Sequence, residues 1–545
     1  PAGDPLRYTA VNEGRPQDQK ENTTYDLENA NKTCIALNTK SPAGREALEK
    51  LIAEADIFIT NWRQNPLKKA ALDYDTLHAK YPKLVYGFVS GYGEKGPDKD
   101  LPGFDFTAFF ARGGVLGDTL ANVLRRDGWD TWKEFYVNDA GNQIHKFAVS
   151  IDARYRQLIQ GEENVPFPEE GYHGDDIKAL AQAVYAAHGD SWLQLPEEER
   201  LDKLSEYGLS VNIPNMKADL KRYGIEYDQW FFESSLHESG YVADTVAALT
   251  DLGYTYEKDG ALWLKTAEIL AKNLRAAGKS DADIEKLALK DDVLRRANGF
   301  YTYFAADIAY HRNKFAVRGF DKVINIWGAD HHGHVARLKG ALDALGLNGS
   351  ERLDIVLMQL VKLLRDGEVV RMSKRTGKAI SLTDLLDEIP VDACRYFFNA
   401  KPETQMEFDL GLAVREDSEN PVYYVQYAHA RICTLLKALA AEGYQVKDAA
   451  EVDFTVLSAP EEKALIKQLA QYPVVVRLAA RDYDPSFINR YLSELAAAFH
   501  KFYNACRIKG EEKPVLLARL KLADTARSVL KNAMTLIGCT APEKM

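Results

Sequence analysis

Cysteine is scarce: 545 residues contain five, at Cys34, Cys394, Cys433, Cys506 and Cys539, with no Cys-x-x-Cys pair. That excludes a disulfide framework and points to a reducing compartment. No run of 18 apolar residues occurs, so a membrane-spanning helix is excluded. The opening PAGDPLRYTAV has neither an apolar signal core nor an amphipathic transit pattern. A cytoplasmic location is expected. Positive charge is not in excess either: 69 Lys and Arg against 80 Asp and Glu give a net charge of −11. Nonspecific DNA binders need a basic surface to displace counterions, so that class is excluded, whereas an RNA held by local basic patches is not. Internal repeats and low-complexity tracts are missing too. What remains is an ordinary soluble globular composition, with 46% hydrophobic and 27% charged residues. The length suggests two to four domains.

Residues 1–30 are polar and look irregular. TCIALNT, SPAGREALEKLIAEA and DIFIT then predict strand, helix and strand, with Ser41 and Pro42 placed as cap and first-turn proline. LDYDTLHAKYP predicts a helix and KLVYGFVSG a strand, before the turn-rich GYGEKGPDKDLPG. No periodic pattern runs smoothly from there into the amphipathic stretch Leu116 to Arg126. TWKEFYVND predicts a strand entering a loop, and AGNQIHKFAVSIDARYRQLI a helix. Residues 175–285 look mainly helical, with loops such as VNIPN, and suggest an insertion into a sheet domain. KVINIW predicts a strand ending in GADHHGHV, and RLDIVLMQLVKLL leads to the loop RMSKRTGKAI. Beyond about residue 418 the pattern is that of a helical bundle.

Three stretches suggest chemistry. In GFYTYFAADIAYHRNKF, Tyr303 and Asp307 are four apart, so a helix sets a phenol beside a carboxylate, as a guanidinium or ammonium ligand requires. The plainer alternative makes Phe304, Ile308 and Tyr310 core and Asp307 a surface acid. Asp330, His331, His332 and His334 crowd the end of a buried-type strand, where α/β sheets bind ligands. A metal site there is disfavoured, because adjacent histidines at a strand end point apart and no cysteine lies near. Arg371, Lys374, Arg375 and Lys378, with Gly377 among them, form a loop expected beyond the next strand of the same sheet. Placed cations of this kind stabilise charge on phosphoryl oxygens, although charged surface loops are common.

Together these stretches resemble a class I aminoacyl-tRNA synthetase, most closely the arginyl enzyme of bacterial type. RMSKR is similar to the KMSKS-type loop, with Arg371 for its first lysine. The resemblance continues in GDTLANVLRRDGWD, EFYVNDAGNQIHKF, MKADLKRYGIEYDQWFFESSL, YTYFAADIAYHRNKF, WGADHHGHVARLKG, VDACRYFF, EFDL and LIGCTAPEKM, over roughly 115–545. It implies a Rossmann-type parallel sheet at 115–417, carrying the helical insertion, and an all-α anticodon-binding domain at 418–545. It implies ATP-dependent activation of L-arginine, with Mg²⁺, and transfer to the arginine tRNA. By the same match Tyr303 and Asp307 would contact arginine, and Asp330 and His331 would line the amino-acid and adenosine region. Ser373, Lys374 and Arg375 would serve the ATP phosphates, with Met372 packing the loop. Helices Tyr423 to Arg431 and Phe487 to Tyr503 would face tRNA.

The family's other signature, a His-x-Gly-His-type turn after the first strand, should precede GDTLANVLRR. LPGFDFTAFFARGG stands there instead. His331-His332-Gly333-His334 fits as a string but belongs to the second half of the fold. Residues 1–114 resemble the N-terminal part of a family III CoA-transferase, an α/β fragment in which Lys40, Asn61 and Arg63 would lie near CoA. That family's catalytic aspartate has no counterpart, since neither Asp105 nor Asp118 corresponds to it. The expectation is therefore a fusion joined near Gly113 to Leu116: an arginine ligase missing its first signature. The other readings are a CoA-transferase, or a tRNA-binding protein without catalysis.

Overall fold

The computed structural model describes Leu37 and residues 41–60, 67–88 except 69, 106–168, 171–359, 361–365, 368–369, 382–400 and 406–545. The expected strand at TCIALNT, apart from Leu37, lies outside the described residues.

Helix α1 (Pro42–Glu54) begins as its sequence directs: Ser41 Oγ accepts from Gly44 N at 3.2 Å, and Pro42 needs no donor in the first turn. Strands β1 (Ile57–Thr60) and β2 (Val85–Phe88) pair in parallel, with Ile57 opposite Val85. Between them lies α2 (Tyr74–Lys80), capped by Asp73, whose Oδ1 accepts from Thr76 N at 3.2 Å. Ile52, Leu67, Leu72, Leu77 and Leu84 make a small core on one side of this pair.

The next element alters the expected boundary. Helix α3 is a single 22-residue helix, Phe106–Asp127, so the joint at Gly113 to Leu116 falls inside a helix rather than in a linker. Two glycines break the apparent periodicity without breaking the helix, because they serve close packing. A Cβ on Gly113 would stand 2.8 Å from Met358 Cε, and one on Gly114 would stand 3.0 Å from Ile225 Cδ1. Past them Val115, Leu116, Leu120 and Val123 are buried.

Strand β3 (Glu134–Val137) is followed by α4 (Gly141–Gln160), as expected. The stretch 175–285 is not purely helical. It contains α5 (Asp175–His188) and α6 (Glu197–Arg222), but also β4 (Gln229–Phe232), which pairs in parallel with β3. VNIPN is not a loop: Pro214 sits inside α6. A proline in a helix forfeits one hydrogen bond and crowds the preceding turn, and contacts from buried Leu201, Leu204 and Gly208 hold this helix nonetheless. Helix α7 (Tyr241–Asp251), the antiparallel β5 (Thr255–Lys258), β6 (Ala261–Leu264) and β7 (Asp292–Arg295), and α8 (Thr266–Ala276) complete this region.

Helix α9 (Tyr303–Arg312) runs into a π-helical turn, Asn313–Val317. Strand β8 (Val323–Gly328) pairs in parallel with β9 (Leu353–Met358) across α10 (His332–Ala344). The strands β10 (Val361–Arg365), β11 (Glu368–Val369) and β12 (Met406–Asp409) form a separate sheet in the order β11-β10-β12. The strand that leads into RMSKR is therefore not in the β8–β9 sheet, which corrects the expectation of one shared sheet. Strand β10 pairs in parallel with β12, Val361 opposite Met406.

From α11 (Val391–Ala400) onward helices dominate: α12 (Pro421–Ala441), α13 (Pro460–Ala470), α14 (Tyr472–Arg481), α15 (Ser486–Ala505) and α16 (Lys513–Leu536). The continuous-looking pattern PEEKALIKQLAQYPVVVRLAA divides in two because Pro473 opens a new first turn. One core runs through α3, α11 and these helices. Arg395, fully buried, joins them: its guanidinium pairs with Asp118 of α3, and Nε donates to Ile537 O at 3.0 Å. Asp118 also accepts from Lys133 Nζ at 2.7 Å.

Candidate active site

Helix α9 is fixed at both ends. Thr302 Oγ1 donates to Val293 O at 2.8 Å and accepts from Ala305 N at 3.4 Å, tying the N-terminus to β7. In the last turn, His311 Nδ1 donates to the Asp307 carbonyl at 2.8 Å, while Asn325 Nδ2 of β8 donates to its Nε2 at 2.8 Å. That network sets the tautomer with the proton on Nδ1. Burial, reinforced by Lys314, pushes the His311 imidazolium down to a pKa of about 4. The ring is neutral and acts as a strut between α9 and β8.

Phe304, Ile308 and Tyr310 are buried, as the plainer reading of this helix expected. Asp307 nevertheless projects into a cavity of about 1930 Å³, whose walls include residues 133–136, residues 322–328, Tyr310, Lys314 and His331. Its carboxylate is engaged: His334 Nε2 lies 2.9 Å from Asp307 Oδ2. Arg337 Nη2 donates to His334 Nδ1 at 3.1 Å and pairs in turn with Asp292. His334, one of the residues crowded at this strand end, thus meets the carboxylate expected to take a guanidinium. Tyr303 is 46% exposed and is not among the cavity walls; it lies against Gly141, 3.9 Å from where a Cβ would stand.

His331 is a cavity wall beside Trp327, with ring centroids 5.9 Å apart. The backbone of Asp330 lies in the turn Ala329–His331 that leaves β8. Structure and helical periodicity therefore bring Asp307 and His331 to one cavity, while Tyr303 stands apart from its walls. Met372, Ser373, Lys374 and Arg375 lie outside the described residues, as do Lys40, Asn61 and Arg63. Among the described residues no group of three or more His, Cys, Asp or Glu is arranged to hold a metal ion.

Sequence reasoning missed two buried acidic clusters. At the end of β4, Glu233 is almost wholly enclosed, with His237 Nε2 at 3.5 Å. Burial raises its pKa, although Tyr136 and His237 oppose the shift, and Asp307 adds to it. The Tyr136 hydroxyl is pushed well above its ordinary value by burial and then by Glu233 and Asp307, so this phenol is a donor facing two carboxyls. At the start of β3, burial opposes ionisation of Glu134, but Arg318, Lys314 and Tyr310 outweigh it and hold the carboxyl below its usual range. Lys314 lies 3.9 Å from the Tyr310 ring centroid, and burial lowers its pKa to about 8. One signal was available for Glu233. It directly follows a strand, as Asp330 does, and the carboxyl ends of parallel strands are where such folds bind ligands.

A parallel-stranded α/β unit with acid groups at its strand ends, backed by a helical domain, is the catalytic arrangement of a class I tRNA synthetase. Residues 105–409 match the family model "tRNA synthetases class I (R), catalytic domain", and residues 425–545 match "DALR anticodon binding domain". The chain is 51% identical over 436 residues to the arginine–tRNA ligases of Acetivibrio thermocellus and of Caldanaerobacter subterraneus subsp. tengcongensis, covering 80% of this chain and 74% of theirs. A solved structure described as a putative arginyl tRNA synthetase from Campylobacter jejuni superimposes with a TM-score of 0.69 at 36% identity, over 80% of this chain and 90% of that one. The Thermus thermophilus arginyl-tRNA synthetase shares the fold, with a TM-score of 0.61 at 20% identity over 80% of this chain and 79% of that one. The chain belongs to the class I arginyl-tRNA synthetase family. Its residues 1–146 also match "CoA-transferase family III", so the two matches overlap across α3, β3 and the start of α4.

Proposed function

We propose that this chain is an arginine–tRNA ligase whose ATP-dependent activation step is weak. The observation that carries the reading is Asp307, presented into a large cavity by a helix braced through His311 and Asn325, in a chain of this family. In the proposed arrangement the substrate guanidinium takes the Asp307 oxygen not engaged by His334, and Glu233 and the Tyr136 phenol add a second acidic partner. A carboxylate offers about four acceptor positions, so sharing with His334 is compatible with substrate binding. Tyr303 would cover the guanidinium from outside the walls. Asp330 and His331 would line the amino-acid and adenosine region, and Ser373, Lys374 and Arg375 would hold the phosphates with Met372 packed beneath. The arginine carboxylate attacks the α-phosphate of ATP, releasing pyrophosphate, and the terminal ribose of the tRNA then displaces AMP.

The domain divisions follow: 115–417 for catalysis and 418–545 for tRNA, whose Tyr423 and Tyr427 stack 6.3 Å apart and whose Arg431 lies 4.3 Å from the Tyr503 ring. Residues 1–114 would be a CoA-transferase-type fragment, with Lys40, Asn61 and Arg63 near any CoA it binds. Weakness follows from LPGFDFTAFFARGG standing where the His-x-Gly-His-type turn belongs. Losing one good transition-state donor costs about 3–4 kcal/mol, and here a pair is missing. ATP–pyrophosphate exchange with arginine and its tRNA, at high protein, is expected to run at least about a hundredfold below an intact ligase. Asp307→Asn is expected to raise the arginine KM of whatever activity remains by about thirtyfold. Normal turnover would overturn the weak-activation reading. Binding of arginine tRNA with no exchange would favour a tRNA-binding protein without catalysis.

A further inference from the structure

Asp307 is held from behind by side chains that do not themselves face the cavity. His334 and Arg337 are three apart on α10, so they share one side of that helix. His334 Nε2 lies 2.9 Å from Asp307 Oδ2 on α9, and Arg337 Nη2 donates to His334 Nδ1 at 3.1 Å. The Arg337 guanidinium pairs in turn with Asp292, the first residue of β7, and its Nε donates to Gly333 O at 3.2 Å. Rings confine the imidazole as well: those of Phe304 on α9 and Trp327 on β8 have centroids 5.2 Å and 5.6 Å from it. Asp307 is a wall of the cavity, whereas His334, Arg337 and Asp292 are not. This relay reaches the cavity only through the Asp307 carboxylate.

The direction of its hydrogen bonds decides what the relay can do. A guanidinium has donors and no acceptor, so His334 Nδ1 accepts from Arg337. The imidazole proton is then on Nε2 and is donated to Asp307. Used in this way the ring is neutral, because an imidazolium has no lone pair left for Arg337. The charges of Arg337 and Asp292 offset one another. The relay therefore orients the Asp307 carboxylate without cancelling its charge. Oδ2 is engaged, and among the described residues Oδ1 makes no hydrogen bond.

Orientation matters to one kind of cation more than to another. A guanidinium is planar, with its N–H donors in a rigid fork, and it binds best to a carboxylate whose plane is already set. An ammonium is a compact charge with rotating donors, which a carboxylate satisfies in almost any rotamer. A freely turning Asp307 would attract both, and a braced one favours the fork.

We propose that His334 and Arg337 are positioning residues that set the plane of the Asp307 carboxylate and so favour a guanidinium substrate over an ammonium one. The inference rests on Asp307 as the guanidinium partner and adds what makes that partner selective.

The test is calorimetric titration of L-arginine and of L-lysine into the full chain, which needs no turnover. His334→Leu should weaken arginine binding about tenfold. Lysine should bind both proteins equally weakly. His334→Gln, whose amide can donate to Asp307 while its oxygen accepts from Arg337, should stay within about threefold of the unaltered chain. Arg337→Met should weaken arginine binding about fivefold, and the double variant with His334→Leu should be no worse than His334→Leu alone, because both changes break one relay. Each variant is checked for an unchanged melting transition. If His334→Leu loses it, Arg337→Met decides, since that side chain is 38% exposed. Arginine binding by His334→Leu within about twofold of the unaltered chain overturns the proposal. So does a Gln variant no better than Leu, a double variant whose losses add, or a matching fall in lysine affinity. Asp307→Asn separates the two readings. If the unaltered chain does not bind arginine, or if Asp307→Asn binds it equally well, Asp307 is not the partner and the relay falls with it. Binding lost in Asp307→Asn but kept in His334→Leu overturns the relay alone.

Discussion

The lobe at 41–88 and the helical region after α11 are both built from well-capped, amphipathic elements, yet they are stabilised very differently. In the lobe a single face of a two-stranded sheet is covered. Ile57, Ile59 and Val85 on its other face remain 57%, 69% and 59% exposed. The helical region buries its apolar residues in a core continuous with α3 and β10, and it is bolted to α3 by a guanidinium with no exposure at all. Correct local structure does not supply a complete set of tertiary partners. Among the described residues the lobe has its caps, helices and parallel register, yet Ile57, Ile59 and Val85 stay exposed. The helical region has both.

The sharpest way to break this contrast is at Arg395. Its guanidinium pairs with Asp118 and donates to the carbonyls of Ile537, Tyr223 and Gly224. Removing it leaves a buried Asp118 with Lys133 as its remaining ion-pair partner among the described residues. Breaking one side of a buried pair generally costs about 3–5 kcal/mol. Arg395→Ala should therefore lower the main unfolding free energy in urea by about that amount. A loss below about 1 kcal/mol would mean that the catalytic and helical parts are not held through this residue.

Acid should separate the regions next. The folded pKa of His311 lies near 4, below its ordinary 6.5, so the unfolded chain binds the extra proton between those values. The associated stability is complete above about pH 6.5 and is lost as pH falls towards 4. It amounts to about 3 kcal/mol for this one group. Burial pushes His429 and His500 of the helical region in the same direction. His311→Gln should flatten the dependence of stability on pH across that window. An unchanged slope would show that the His311 strut between α9 and β8 is not what titrates.

How far the sequence disclosed all this depends on the range of the interaction concerned. The α9 helix, β8 and the C-terminal helices were legible from period and caps, because each signal sits within a few residues of its effect. Periodicity also put Asp307 on this helix, but the Tyr303 four residues before it, expected beside it, is not a wall of the cavity that Asp307 enters. The pairing of β4 with β3 spans 95 residues between Glu134 and Gln229 and left no local mark, so that strand was absorbed into a supposed helical insertion. Glu233 was overlooked with it. The α3 helix was hidden by Gly113 and Gly114, whose reason for being glycine is contact with Met358 and Ile225, far along the chain. His334 makes the same point in reverse. Its sequence context put it at a crowded strand end but named no partner for it, and that partner, Asp307, is 27 positions away.

The smallest expected effect lies on the uncovered face of the lobe. Ile59 alternates outward from β1, pairs through its backbone with Gly87, and contributes nothing to the core made by Ile52, Leu67, Leu72, Leu77 and Leu84. A surface substitution away from packed features usually changes stability by no more than about 0.5 kcal/mol. Ile59→Lys should therefore leave the urea midpoint almost unmoved, while reducing concentration-dependent association measured by light scattering, because exposed apolar faces on short sheets promote contact between molecules. A large loss of stability would show that this face is covered in solution, and the lobe would then resemble the helical region after all. The same substitution at Ile52, on the covered side, is the internal control: it places a charge in a buried site and should unfold the lobe.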